Sequence, residues 1–363
     1  MNFIECVNCV LNNKICKLEF DKNGICNYCN FYFNEVKPIL HQCQKEGELE
    51  ILIDKIKKER TGNYDCLIGL SGGVDSSYVA FLVHNLGLKP LAFHLDNGWN
   101  SDISVKNIKN IVEKFNFDFY TYVIDWEEFK DLQLSFLRAG VIDIELLTDH
   151  AITAVALKLI KKEKIKYFIS GSNYATEAIM PKDWSYYKWD SINIKSIHKR
   201  FGKIPIKTFP TYNIWNKIEL RTSFKVVRIL DYIKYNKFEA MEKLKKNIGW
   251  EYYGGKHYES NFTKFYQAYI LPKKFNVDKR YAHLSNLICS GQITKEEALK
   301  ELSKPLYETE ELKKEIDYFL KKFNLTKEEF EMIMSQKPKK HTDYPNGIWL
   351  NNLFKFINKI FQL

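Results

Sequence analysis

The chain has 363 residues, 45% hydrophobic and 28% charged, with 55 Lys and Arg against 45 Asp and Glu and a net charge of +10. That length buries a substantial core, as two domains or one domain with appendages, in a composition ordinary for a soluble globular protein. No signal-like opening and no apolar run near the roughly 20 residues of a bilayer span is found, which predicts a cytoplasmic protein without a membrane span.

The first 29 residues hold five of the eight cysteines. Cys6-x2-Cys9 and Cys26-x2-Cys29, separated by 16 residues, fit a two-knuckle zinc ribbon over residues 1–45. Four thiolates suit tetrahedral Zn²⁺ in a closed site that folds a knob and performs no chemistry. The "DKNG" before Cys26 reads as the turn that returns the second knuckle to the first. Two disulfides would also fit the pattern, but they require an oxidising compartment that nothing in the sequence indicates. Cys16 is a spare thiol able to replace one ligand, while Cys43, Cys66 and Cys289 are isolated and expected as buried structural thiols.

A polar helical stretch, "ELEILIDKIKKERTGNY", leads into a buried strand from Asp65 to Leu70. The loop Ser71-Gly72-Gly73-Val74-Asp75-Ser76-Ser77 follows, then a helix through "YVAFLVHNLG" capped at Gly87. "KPLAFHLDNGW" is a second strand, "SVKNIKNIVEKFN" a helix and "DFYTYVID" a third strand. Helices over about 126–138 and 144–163 precede a fourth strand in "IKYFISGSN". This alternation predicts an α/β fold, a doubly wound and mainly parallel sheet over residues 46–235. Ligands bind such sheets beyond the strand carboxyl ends, where the first loop, "HLDNGW" and "SGSN" all fall. Residues 236–363 are expected to form a mostly helical region for substrate or partner binding.

The loop lacks the Lys of GxxxxGK[ST] and so is not the usual phosphate loop. Its two glycines let backbone N–H groups converge on an anion, and the helix start adds partial positive charge. The Ser71, Ser76 and Ser77 hydroxyls are donors to phosphate oxygens. Asp75 cannot bind phosphate directly, so Mg²⁺ between the two is the natural reading.

This loop resembles the PP-loop of the ATP pyrophosphatase superfamily, whose adenine nucleotide alpha hydrolase-like domain cleaves ATP between the α and β phosphates. The resemblance implies that Ser71, Gly72, Gly73, Asp75, Ser76 and Ser77 hold pyrophosphate. It also implies that His94 to Asp96 lie by the adenosine, with Gly171, Ser172 and Asn173 closing the other side. The block Gly249 to Leu299 is similar to the hallmark of the N-acetyl sugar amidotransferases of the WbpG and PseA type. The ribbon, "SGGVDSS", "SGSNYATE", "TFPTYNIW" and that block occur in this family's order, a resemblance spanning about residues 1 to 300.

What the resemblance implies is conversion of an N-acetyl group on a nucleotide-linked sugar into an acetamidino group, in surface-polysaccharide or flagellin nonulosonate biosynthesis. Amide nitrogen donates into its carbonyl, so the oxygen must be adenylated before ammonia displaces AMP. In that family ammonia comes from a separate glutaminase subunit paired with a cyclase-like subunit, and no Cys-His-Glu glutaminase constellation is legible here. Asp75, Lys256, His257 and Glu259 are the expected catalytic residues. Glu177 and Asp190 are further candidates for orienting the amide or accepting a proton. Lys279, Arg280 and His283 are expected on the substrate, since Arg and Lys suit diphosphate or carboxylate groups. The Tyr and Phe residues between Tyr252 and Phe275 offer faces for a sugar or nucleobase.

Two other readings remain open at this point. A tRNA 2-thiolation enzyme of the PP-loop superfamily also combines a ribbon with this loop, but sulfur transfer usually needs further cysteines, and none lies between Cys66 and Cys289. A non-catalytic scaffold would use the ribbon and the C-terminal stripe Leu350, Leu353, Phe354, Ile357, Ile360 and Phe361 to assemble partners. The lysines sit in runs such as "LKLIKKEKIKY", which read as solvated helical faces, so no nucleic-acid partner is expected.

Overall fold

The computed structural model describes residues 3–213, 216, 224–255 and 258–353. Five parallel strands form one sheet in the order β3-β2-β1-β4-β5. They are β1 (Cys66–Gly69), β2 (Pro90–Asp96), β3 (Asp118–Val123), β4 (Tyr167–Ile169) and β5 (Lys225–Val227). Cys66 pairs with Pro90 and Leu67 with Phe168, so β1 stands between the two halves of the sheet. The chain leaves β1 to one side for β2 and β3, then crosses to β4 on the other. That reversal opens a crevice beyond the carboxyl ends of β1 and β4.

Strand periodicity divides the core. Leu67, Leu91, Phe93 and Leu95 point to one face, where they join the helices Trp126–Ala139 and Leu146–Glu163. Cys66, Ile68 and Ala92 point to the other, against the helices Val74–Asn85, Asp102–Phe115 and Lys237–Ile248. The doubly wound expectation holds. The fifth strand was not anticipated: Lys225 and Val226 are exposed and give no buried apolar run, and β5 is defined by its register with Tyr167–Ile169.

The C-terminal region is helical as expected, with Arg280–Cys289, Lys295–Leu302, Thr309–Phe323 and Lys327–Ser335 among its elements. Thr294 and Glu297 form a capping box at the start of Lys295–Leu302. The aromatic residues of the Gly249–Leu299 block divide, and the expectation that they serve as sugar or base platforms is corrected for the buried ones alone. Phe262, Phe265 and Tyr266 are fully buried, with Phe265 4.5 Å from Phe319 between ring centroids. Leu350 and Leu353 of the C-terminal stripe are described, and Leu353 is exposed, while Phe354, Ile357, Ile360 and Phe361 lie outside the described residues. Among the described residues no helix is long and apolar enough to cross a membrane.

His341 pins this region to the sheet domain. Its Nδ1 lies 2.8 Å from the Asn193 side-chain oxygen Oδ1, its Nε2 accepts the Asp143 N–H at 3.2 Å, and Tyr186 stacks on the ring at 4.2 Å. Burial pushes the His341 pKa down to about 4, outweighing the opposing pull of the Asp143 carboxylate. The folded-state value lies below the unfolded one, so the contribution is complete above pH about 6.5 and is lost as pH falls toward 4. The full span is worth about 3 kcal/mol. Urea midpoints measured between pH 7.5 and 4.5 are expected to fall steeply for the parent chain and less steeply for His341→Gln.

Candidate active site at the sheet switch point

The glycine loop sits at the mouth of the crevice. Gly72 has φ of +79°, and a Cβ there would lie 2.5 Å from the Ser104 carbonyl oxygen. Its own carbonyl accepts from Asn107 Nδ2 at 3.2 Å and from the Trp250 indole at 3.0 Å. Gly72 is therefore glycine on two counts, backbone handedness and close approach of the next helix. Gly72→Ala is expected to cost about 2–4 kcal/mol by urea unfolding, since the colliding atoms are backbone and cannot swing away.

Gly73 caps the helix Val74–Asn85 and lines a cradle. A Cβ on it would meet Glu259 Oε1 at 3.0 Å, Ser71 Oγ at 3.1 Å and the Tyr253 hydroxyl at 3.2 Å. The Ser71 and Ser76 hydroxyls are 3.1 Å apart, and the Gly73 N–H donates to Ser71 Oγ at 3.2 Å. Asp75 follows in the first helical turn. It is half-buried, and Tyr235 donates to its Oδ1 at 2.5 Å. Burial and the neighbouring Asp75 carboxylate hold the Tyr235 hydroxyl well above its usual range, so it stays a donor.

From β4, Gly171 packs against this helix start, where a Cβ would lie 3.2 Å from the Ser76 nitrogen. Ser172 lines the crevice beside it. Asn173 instead caps the following turn, accepting the Thr176 N–H at 2.9 Å, and lines none of the cavities described here. Ser77 is fully buried and likewise faces none of them, its hydroxyl having no hydrogen-bond partner among the described residues. Of the three loop hydroxyls, those of Ser71 and Ser76 are thus the ones on the crevice.

At the end of β2, His94 lines the crevice. Its Nδ1 is 2.7 Å from the Leu70 carbonyl and its Nε2 is 2.9 Å from Asn100 Nδ2. Burial lowers the His94 pKa, and these two partners suit a neutral ring with the proton on Nδ1. Asp96 is engaged in its own turn, accepting from the Gly98 N–H at 2.9 Å and Asn100 Nδ2 at 3.0 Å.

The Gly249–Leu299 block folds over the loop. Tyr253 accepts the Val74 N–H at 3.1 Å, and Glu259 Oε1 lies 3.5 Å from Ser71 Oγ, 188 residues away in sequence. Three adjoining cavities result. One, of about 180 Å³, touches Gly73, Asp75, Ser76, Glu177, Glu259 and Lys237. The main cavity, about 430 Å³, extends past His94 to Glu145, Lys188, Lys279 and His283. A third, about 480 Å³, shares Gln267, Lys279 and His283 with the second, shares Lys237 with the first, and adds Tyr252, Tyr258 and Arg280. Lys279 is held between them by Glu145 at 2.6 Å, and Gln267 donates to the same carboxylate at 3.1 Å. Arg280 pairs with Asp278 at 2.8 Å.

Asp190 is not brought to this crevice. It caps the helix Ser191–Phe201 through the Asn193 N–H at 2.9 Å and accepts from Tyr186 and Gly347, facing a separate cavity. With its acceptors occupied and 2% exposure it acts as scaffold. Lys256 and His257 lie outside the described residues. Sequence reading missed Lys237, Glu145, Gln267 and Tyr235, which carry no motif and reach the crevice only by folding.

The ribbon thiols converge as the spacing predicts. The sulfurs of Cys6, Cys9, Cys26 and Cys29 lie within 4.8 Å of one another, the one such metal-ligating group among the described residues. All four side chains are buried, and Cys6 Sγ accepts the Cys26 N–H at 3.2 Å. The turn before Cys26 forms as read, with Gly24 at φ +75° and Asp21 accepting the Asn23 N–H at 2.8 Å. Cys289 is not isolated: its sulfur lies 3.5 Å from that of Cys29.

Comparison with known proteins finds two family models that match separate parts of the chain. Residues 259–360 match the model of the "LPS biosynthesis protein WbpG-like, C-terminal domain", and residues 48–139 match that of NAD synthase. A glutamine-hydrolysing GMP synthase of Fusobacterium nucleatum subsp. nucleatum is 31% identical over 170 residues, covering 44% of this chain and 30% of that protein. One from Vibrio cholerae serotype O1 is 48% identical over 54 residues, 15% of this chain and 10% of its own. The chain thus spans less than a third of these curated relatives. The NMN synthetase structure from Francisella tularensis aligns with 38% of this chain and 55% of its own, at 20% identity and a TM-score of 0.29. The NH3-dependent NAD synthetase of Campylobacter jejuni aligns with 38% and 57%, at 15% identity and the same TM-score.

Proposed function

We propose that the chain is an ATP-dependent, AMP- and pyrophosphate-forming amidotransferase that converts a sugar N-acetyl group into an acetamidino group. The observation that carries this reading is the folding of the WbpG-like segment, through Glu259, over the Gly73 cradle, so that nucleotide loop and acceptor region share one crevice. ATP binds with its phosphates against Ser71, Ser76 and the amides of Gly72 and Gly73, at a helix start that favours anions. The carboxylates of Asp75, Glu177 and Glu259 face the same space, and beside phosphate they demand a cation. Mg²⁺ held by Asp75 with Glu177 meets that need and, when bound, neutralises charge on the departing pyrophosphate. Lys237, on the cavity shared with the acceptor region, supplies further positive charge.

His94 and the strand ends enclose the nucleoside side, and the cavity beyond Lys279 and His283 takes the nucleotide-linked N-acetyl sugar. Adenylation of the acetamido oxygen makes AMP the leaving group, and ammonia from a separate glutaminase, with its cyclase-like partner, completes the exchange. Zn²⁺ bound by Cys6, Cys9, Cys26 and Cys29 is structural, since a closed four-thiolate set leaves no position for substrate. None of the residues lining the three adjoining cavities is a cysteine, which disfavours the tRNA 2-thiolation reading. Incubation of candidate UDP- and CMP-linked N-acetyl sugars with ATP, Mg²⁺ and ammonium, followed by mass spectrometry, tests the proposal. A product whose mass reflects replacement of O by NH, formed with AMP and pyrophosphate, is the expected result. ATP cleavage that ignores both sugar and ammonium overturns it, and no cleavage at all favours the scaffold reading.

A further inference from the structure

Cys289 ends the helix Arg280–Cys289, and its sulfur lies 3.5 Å from Cys29 Sγ. The Asn8 amide bridges the two sulfurs, 3.4 Å from Cys29 and 3.5 Å from Cys289. The four converging ribbon cysteines are each 0% exposed, whereas Cys289 is partly open to solvent. A small oxidant therefore meets Cys289 before it meets any zinc ligand, and the sulfur it modifies already touches one of them.

We propose that Cys289 is an oxidation-sensing thiol that captures Cys29 as a disulfide and opens the metal centre. This rests on the reading of the four ribbon thiols as a zinc site. Hydrogen peroxide is the oxidant. Its O–O bond breaks as the Cys289 sulfur takes one oxygen, giving a sulfenic acid and water, with sulfur oxidised by two electrons. The Cys29 sulfur, a thiolate because metal ligation removes its proton, then attacks the Cys289 sulfur. The S–S bond forms as the S–O bond breaks, and hydroxide leaves. Zinc keeps three thiolates and is lost to competing chelators far more readily.

The link reaches the crevice. The same helix carries His283 and starts beside Lys279, both on the main cavity. Its Asn286 accepts the Ile179 N–H at 2.8 Å and donates to the Tyr174 carbonyl at 3.1 Å, holding the segment that follows Gly171–Asn173. Lys295, just beyond, donates to the Cys6 carbonyl at 2.7 Å. Ribbon and cavity wall are thus one packed unit, and oxidation at Cys289 acts on both.

The test treats the zinc-loaded full chain with hydrogen peroxide and reads two signals, a non-reducing peptide mass map and zinc transfer to a chromogenic chelator. The expected first product joins the Cys29 and Cys289 peptides, accompanies zinc release and reverses with dithiothreitol. Cys289→Ser, with Cys289→Ala as a second variant, is expected to keep its zinc, lose the cross-link and release metal at least about tenfold more slowly. Cys16→Ser, which removes another partly exposed thiol, is expected to behave like the parent. A first disulfide within Cys6–Cys29 or Cys9–Cys26, pairs 3.8 Å apart, overturns the proposal, as does parental-rate zinc loss from the Cys289 variants. Zinc content before oxidation reports on the metal reading separately, and the peptide map decides the cross-link even if that content is nil.

Discussion

Asp75→Asn is expected to lower the kcat for ATP-dependent pyrophosphate release by about a thousandfold or more while leaving the melting temperature within a few degrees. The asparagine oxygen still accepts the Tyr235 hydroxyl that now donates to Asp75 Oδ1 at 2.5 Å, so the local hydrogen bond survives. What would disappear is the negative charge that, on the proposed reading, would hold a divalent cation beside the ATP phosphates in the small cavity. Pyrophosphate release followed by a coupled assay, alongside calorimetric melting, separates the two effects. Near-parental turnover in the folded variant would remove Asp75 from the chemistry. Asp75→Ala is a poorer probe, because it also strands the buried Tyr235 hydroxyl without its acceptor.

The second large effect is on stability. Cys26→Ser is expected to abolish stoichiometric zinc binding and to destabilise the chain by several kcal/mol, since structural zinc supplies about 10 kcal/mol or more to isolated fingers. The loss should spread beyond the ribbon. Cys6, Cys9, Cys26 and Cys29 belong to the same buried cluster as Phe265, Tyr266 and the helix Trp126–Ala139. Lys295 also pairs with Glu5 at 2.9 Å across that boundary. Metal analysis with urea unfolding checks both parts, and a variant that keeps one zinc per chain would show that three ligands suffice. Chelation of the parent should lower its unfolding midpoint before it lowers turnover measured at low temperature.

The partly buried cations at the far end of the crevice are each held by carboxylates. Lys188 donates to Asp143 at 2.8 Å and pairs with Asp149 at 3.1 Å. Burial alone would lower its pKa, but the carboxylates of Asp149 and Asp143 outweigh that, so Lys188 stays charged in the floor of the main cavity. Lys279 is likewise pinned by Glu145. Cations held by such partners need little reordering when an anionic ligand arrives, which is the advantage of a preorganised site.

Local chemistry was legible in the sequence because each device is written within a few residues. The CxxC pairs, the "DKNG" turn and the Ser-Gly-Gly loop depend on neighbours, and all three form as read. Strand–helix alternation was readable for the same reason, since β1 and β2 are short runs of consecutive buried apolar residues, Cys66 to Ile68 and Leu91 to Phe93, followed by turn residues. The tertiary structure alone decided which distant groups share the crevice. Glu259 reaches Gly73, Tyr235 reaches Asp75, Cys289 reaches Cys29 and Asp190 turns away to cap its own helix. No periodicity encodes such meetings. They arise when side chains separated by 160 to 260 residues are packed together at the switch point of one sheet and along the helices laid over it.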